Sequence, residues 1–167
     1  DTWSDAWFRN NIFIGGAGSD RCRGSGAVAV LYAADATCHL DYDGYGSIGT
    51  GSFSGRIGSQ SFSSLADMRA RTTEQHAIEV DMSALQSGVS YPDDPFPERP
   101  VSDLALRSGS AAIDQGEVLP NVNDGFRGAA PDLGAVEFGD ATPHYGPRAS
   151  TGTPIPPLPP TNLHVVP

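Results

Sequence analysis

The chain contains no lysine: its 10 basic residues are all arginine, set against 20 Asp and Glu, for a formal net charge of -10. That absence removes Schiff-base and lysine general-base chemistry and leaves Arg and His to supply positive charge. The sign of the net charge argues against a nucleic-acid backbone or an anionic membrane as partner, because like charges repel. Long apolar runs are missing as well. The longest, Ala27 to Ala34, is far too short to cross a bilayer, and the N-terminus lacks the basic-then-apolar form of a signal peptide. A soluble chain is expected, and its start at Asp1 without an initiator Met reads as a processed product or an excised fragment.

Cysteine is scarce. Cys22 and Cys38 are too few for a disulfide scaffold and lack zinc-site spacing. Two readings stay open: one disulfide, contributing about 3 kcal/mol in the chain-entropy model, or two reduced thiols. An acidic, Lys-free, Gly/Ser-rich composition favours a secreted, extracellular chain. What is present fits one domain with a modest core: 167 residues, 38% hydrophobic. Twenty Gly and 14 Pro leave little room for long helices and point to an all-β, turn-rich fold.

From Trp7 to about Ser63 short strands alternate with Gly and Ser. Phe8, Asn10, Ile12 and Ile14 share a parity, Ala27 to Tyr32 is a short apolar run, and His39 to Tyr45 alternates again. Few two-residue hairpin signals link them, so parallel stacking competes with an antiparallel sandwich. One helix is expected over Leu65 to Arg71, capped by Ser64 with Asp67 three residues on. A strand should follow at Ile78, Val80 and Met82, then a proline-broken loop, YPDDPFPERP, and a short strand from Asp103 to Arg107. Eight of the 14 prolines lie between Pro143 and Pro167. Residues 140–160 therefore read as a Pro-rich linker.

Three segments carry a family resemblance: WFRNNIFIG (Trp7 to Gly15); LDYDGYGS with SLADMRARTTEQHAIEVDM (Leu40 to Ser47, Ser64 to Met82); and DLALRSGSAAIDQG with DGFRGAAPDLGAVEFG (Asp103 to Gly116, Asp124 to Gly139). Together they resemble the C-terminal region of secreted bacterial right-handed parallel β-helix proteins of the pectate-lyase-like superfamily. Two positions depart from that pattern: Ser110-Ala111 stands where relatives commonly have Ser-Pro, and Val136 where they have Tyr. The resemblance implies an all-β, right-handed parallel β-helix over residues 1–139, its C-terminal rungs and cap with one short helix. The last residues, 161–167, resemble the opening strand of a fibronectin type III module. At most two to three rungs fit between Trp7 and Ser63, and solenoid rungs bury their inner faces only against neighbours, so an upstream β-helix portion of the same parent is the expected partner. The Cys22–Cys38 separation is close to one short rung, which suits a bridge.

The sharpest constellation is His39, Asp41 and Asp43, expected on one outer strand face with Leu40 and Tyr42 inside. Asp41 and Asp43 suit Ca²⁺ or an acid/base pair in glycoside cleavage; the bland alternative is a solvated turn whose carboxylates accept backbone N–H groups. β-Elimination on a uronate needs its carboxylate neutralised, a role open to Arg56, Arg69 and Arg71, and a base and an acid for the leaving oxygen, roles open to Tyr42, Tyr45 and His39. Arg56, Arg69 and Arg71 read equally as surface ion-pair partners. His76 shares a parity with Ile78 and reads as a core-edge residue. Asp114, Asp124, Asp132 and Glu137 read as acceptors for turn amides, with Arg127 beside Asp132 or Glu137. The catalytic set expected is therefore His39, Asp41, Asp43, Tyr45 and Arg56. The function expected is the closing part of a secreted polysaccharide lyase acting on an acidic polysaccharide. The alternative is a non-catalytic β-helix segment of a cell-surface or carbohydrate-binding protein.

Overall fold

The computed structural model describes residues 3–16, 28–31, 34–48, 53–86 and 103–141. Its elements are β1 (Trp7–Arg9), β2 (Ile12–Gly16), β3 (Ala29–Leu31), β4 (His39–Asp41), β5 (Gly44–Ile48), β6 (Gly55–Ile57), β7 (Gln60–Phe62), α1 (Leu65–Arg71) and β8 (Ile78–Glu79), then a 3-10 turn at Met82–Ala84. The described part is β-rich with one α-helix, and none of its helices is long and apolar enough to cross a membrane. Cys22, the YPDDPFPERP loop, the proline-rich stretch beyond residue 141 and the fibronectin-like residues 161–167 lie outside the described residues. Cys38 is a buried free thiol whose Sγ lies 3.2 Å from the Trp3 carbonyl.

The chain makes the same excursion twice. β1, β2 and β3 pair one for one, in parallel, with β4, β5 and β6. Trp7 lies opposite His39 and Ile12 opposite Gly44, each pair 32 residues apart, the same separation that links Asn11 to Asp43. β8 adds a third parallel strand beside β5, and β7 folds back antiparallel onto β6 through Gly58, whose φ is +56°. The bend from first to second strand in each pass is made by a left-handed residue, Asn10 (φ +61°) and Tyr42 (φ +58°). Asn tolerates this region better than most residues, and here both ends of the Asn10 side-chain amide are tied to the Glu117 backbone. The two corners stack, Asn10 N donating to the Tyr42 carbonyl at 3.0 Å.

Inside the passes, Leu40, Tyr45, Ile57, Phe62, Met68 and Ala77 form a buried cluster, with Phe8 and Phe13 packed on it and the Phe13 and Tyr45 rings 5.3 Å apart. A second cluster, Val80, Leu106, Ala112 and Leu133, packs with Ile12, Ile14 and Ile78 on the opposite face of the β2–β5–β8 sheet. That sheet is therefore covered on both faces, the second time by residues 103–138. Gly46 permits the close approach: a Cβ there would sit 1.9 Å from the Val80 carbonyl oxygen.

α1 spans the residues its pattern predicts. Ser64 Oγ accepts the Asp67 amide, Asp67 returns a bond to the Ser63 amide, and Met68 is buried. The strand expected through Met82 stops at Glu79, because Asp81 accepts the Ser83 amide at 2.7 Å and turns the chain into the 3-10 segment. The strand expected at Asp103 to Arg107 shrinks to one antiparallel bridge, Leu85 with Leu106.

Candidate functional site

On the two-stranded sheet β1–β4, Phe8 and Leu40 turn inward, so Trp7, Arg9, His39 and Asp41 take the outer face. Trp7 is 68% exposed, its ring 4.5 Å from that of His39, with the Arg9 guanidinium carbon 5.2 Å from its centroid. Arg9 is held in place by Glu117 at 2.8 Å and by the Phe8 and His39 carbonyls at 2.9 Å each. Together these make an aromatic platform flanked by a fixed cation. A shallow groove of about 440 Å³ borders it, lined by Arg9, Asn11, Val122, Asn123, Phe126 and Glu137 among others.

Asp41 closes the row differently. Its Oδ1 accepts the amides of Tyr42 (3.0 Å) and His76 (2.7 Å), and its Oδ2 lies 2.8 Å from His76 Nδ1. The His76 ring stacks on Tyr42 at 4.3 Å and stays exposed. This corrects its expected place at the core edge: β8 begins only at Ile78, so the strand parity does not reach back to His76.

The expected outer row of His39, Asp41 and Asp43 is broken at Tyr42. Its left-handed backbone resets the alternation, so Tyr42 is half-buried and Asp43 turns inside with 0% exposure. There Asp43 Oδ1 accepts from the Asn11 backbone amide (2.7 Å) and from Asn11 Nδ2 (2.9 Å). Tyr45 is buried beside it and donates its phenol to Glu74 Oε1, Glu74 being equally inaccessible. Burial raises the Asp43 carboxyl, opposed by the Asn11 donors, and pushes Glu74 up to about 8 despite the Tyr45 bond. The Tyr45 phenol is raised by burial and by Glu74, so it remains a neutral donor.

The structure thus brings together Asp43 and Tyr45 in the interior, and His39 and Asp41 on the outer face. Arg56 belongs to the β3–β6–β7 sheet, where its Nε donates to the Gly58 carbonyl at 2.8 Å. Arg71 pairs with Asp67 on α1, and Arg69 donates to the Ala77 carbonyl at 2.8 Å, so both serve the helix. These residues do not fit calcium. Both Asp41 oxygens are engaged by Tyr42 and His76 on the outer face, while Asp43 is turned into the interior with Oδ1 held by Asn11, so the two carboxyls do not face one ion together. Among the described residues no three metal-ligating side chains converge.

Glu74 escapes the sequence reading. In TTEQH it resembles any polar turn residue, and the available signal is indirect: an inward-facing Tyr45 needs a partner for its hydroxyl. Trp7 was legible as a strand residue but not as an exposed one.

The closing segment uses its acids as expected. Asp114 Oδ1 accepts the Ala129 and Ala130 amides, Asp132 accepts those of Asp114 and Phe138, Glu137 accepts that of Asp132, and Asp124 that of Asn121. The Arg127 guanidinium pairs with Asp140 at 2.8 Å instead of the expected Asp132 or Glu137, and only its backbone amide faces Glu137. No protein-family model, no curated protein and no solved structure matches this chain, so its functional reading stands on this geometry and on the sequence pattern.

Proposed function

We propose that this chain forms the closing end of a right-handed parallel β-helix in a secreted protein that acts on an acidic polysaccharide, and that elimination chemistry resides in further coils of the same parent. The observation that carries this reading is the repeat: two successive passes of strand, left-handed corner and strand, stacked in parallel at a separation of 32 residues. Among the described residues, β1, β2 and β3 each pair on one edge only. Those edges suit a preceding coil. The scattering of His39, Asp43, Tyr45 and Arg56 over outer face, interior and a separate sheet supports placing the reaction centre elsewhere.

A second reading, a non-catalytic saccharide-binding segment, is favoured by the exposed Trp7 platform with Arg9 and His39 beside it. One assay separates the two. Unsaturated-uronate absorbance and reducing ends are followed on pectate, alginate and glucuronan, with this chain and with a longer parent carrying the preceding coils. Turnover by the parent alone supports the enzyme reading. Binding that is lost in Trp7→Ala, without turnover in either protein, supports the second, and robust turnover by this chain alone overturns both.

A further inference from the structure

The far end of the interior is sealed by a loop instead of a strand. Residues 72–77 run beside β4, whose second edge has no strand partner among the described residues. In its place Thr73 Oγ1 accepts the Leu40 amide at 3.2 Å, and Asp41 accepts the His76 amide at 2.7 Å. Between these two ties the loop sends Glu74 into the interior, against Tyr45 and Asp43.

Counting donors there leaves a deficit. Asp43 Oδ1 takes both Asn11 donors, and Glu74 Oε1 takes the Tyr45 phenol. Asp43 Oδ2 and Glu74 Oε2 remain, both buried without a donor, on carboxyl groups within hydrogen-bonding reach of each other. Two bare carboxylate oxygens in such contact repel strongly in a dry interior, whereas one proton between them makes a hydrogen bond and satisfies both atoms.

We infer that a single proton shared by Glu74 and Asp43 holds residues 72–77 shut, making this loop a seal that loosens as the pH rises from mildly acidic to mildly alkaline. This inference is independent of the proposed function. The charged and titratable groups facing the pair are Arg9 from β1, Asp41 from β4 and Tyr45 from β5. Arg9 and the two Asn11 donors favour charge on Asp43. Glu74 has one phenol donor and faces the carboxylates of Asp43 and Asp41, so it carries the proton.

The sign follows from linkage. Burial holds Glu74 in the closed loop at about 8, above its ordinary 4.5, so between those values the closed loop keeps a proton that an opened loop releases. Each pH unit in that window makes opening about tenfold easier, and the effect levels off above it.

Two measurements on the full chain test this. The first is the carboxylic-acid C=O band of the wild-type protein, by difference infrared spectroscopy at neutral and alkaline pH. The second is hydrogen exchange at the His76 and Ile78 amides between pH 5 and 9, corrected for intrinsic rates. A buried acid band at neutral pH that vanishes at alkaline pH, with protection falling about tenfold per unit up to about pH 8, is expected. Glu74→Gln supplies a permanent donor toward Asp43 and should flatten the slope, and it should do so equally in a His76→Gln background, where the His76–Asp41 contact is gone. The inference is overturned if the wild type shows no acid band at neutral pH, if its protection does not vary with pH, or if Glu74→Gln keeps the wild-type slope. Should Glu74→Gln fail to fold, the wild-type band and slope decide.

Discussion

Replacing Asn10 by Ala should be among the most damaging single changes to a polar residue, because this one residue does three things. Its Oδ1 accepts the Glu117 amide at 2.7 Å, its Nδ2 donates to the Glu117 carbonyl at 2.9 Å, and its backbone holds a φ of +61°. Losing Oδ1 leaves a part-buried amide unpaired, a cost of about 1–3 kcal/mol. Losing Nδ2 costs less, roughly 0.5 kcal/mol, since the same carbonyl also accepts from Asn123 Nδ2 at 3.0 Å. Holding Ala in the left-handed region adds about 1 kcal/mol. The total is about 2.5–4.5 kcal/mol, a large share of the stability of an ordinary domain. Asn10→Gly removes the bonds but relieves the backbone, so it should be milder than Ala by about 1 kcal/mol. Urea unfolding of the full chain, followed by Trp fluorescence with an unchanged denaturant slope, reads both variants. The reasoning is refuted if Asn10→Ala unfolds within about 0.5 kcal/mol of wild type, or if Gly proves worse than Ala.

The same unfolding assay checks four further expectations. Gly46→Ala drives a Cβ into the Val80 carbonyl, backbone against backbone, and should cost about 3 kcal/mol while freeing β8. Met68→Ala empties a fully buried site where α1 meets the interior, for a loss of about 2–5 kcal/mol. Tyr45→Phe takes the donor from Glu74 Oε1 and should cost about 1–3 kcal/mol. Ser64→Ala removes the helix cap, and an effect near 1 kcal/mol is expected; no measurable change would discount the cap.

What could be read from the sequence was whatever is decided within a few residues. Ser64 and Asp67 meet across one helical turn, so α1 emerged with its bounds. Asp114 and Asp132 sit in Gly-rich turns whose amides need acceptors, and they supply them. Pattern and structure part where one backbone residue changes the rule. Strand alternation assumes extended geometry throughout, and the left-handed Tyr42 sends Asp43 inward. Glu74 was lost for a different reason: its burial comes from Tyr45 and Asp43, 29 and 31 positions away, and nothing in its neighbours announces that.

The two ends of the stacked passes have different capacities for association. At one end β1, β2 and β3 offer unpaired edges among the described residues; at the other, β4 is covered by residues 72–77, while β7 and β8, of three and two residues, keep an edge without a strand partner. An end whose edges are short or covered offers a joining strand fewer backbone groups than an end whose edges stand open. The two ends are thus unequal, and at β4 the difference is carried by a loop of six residues.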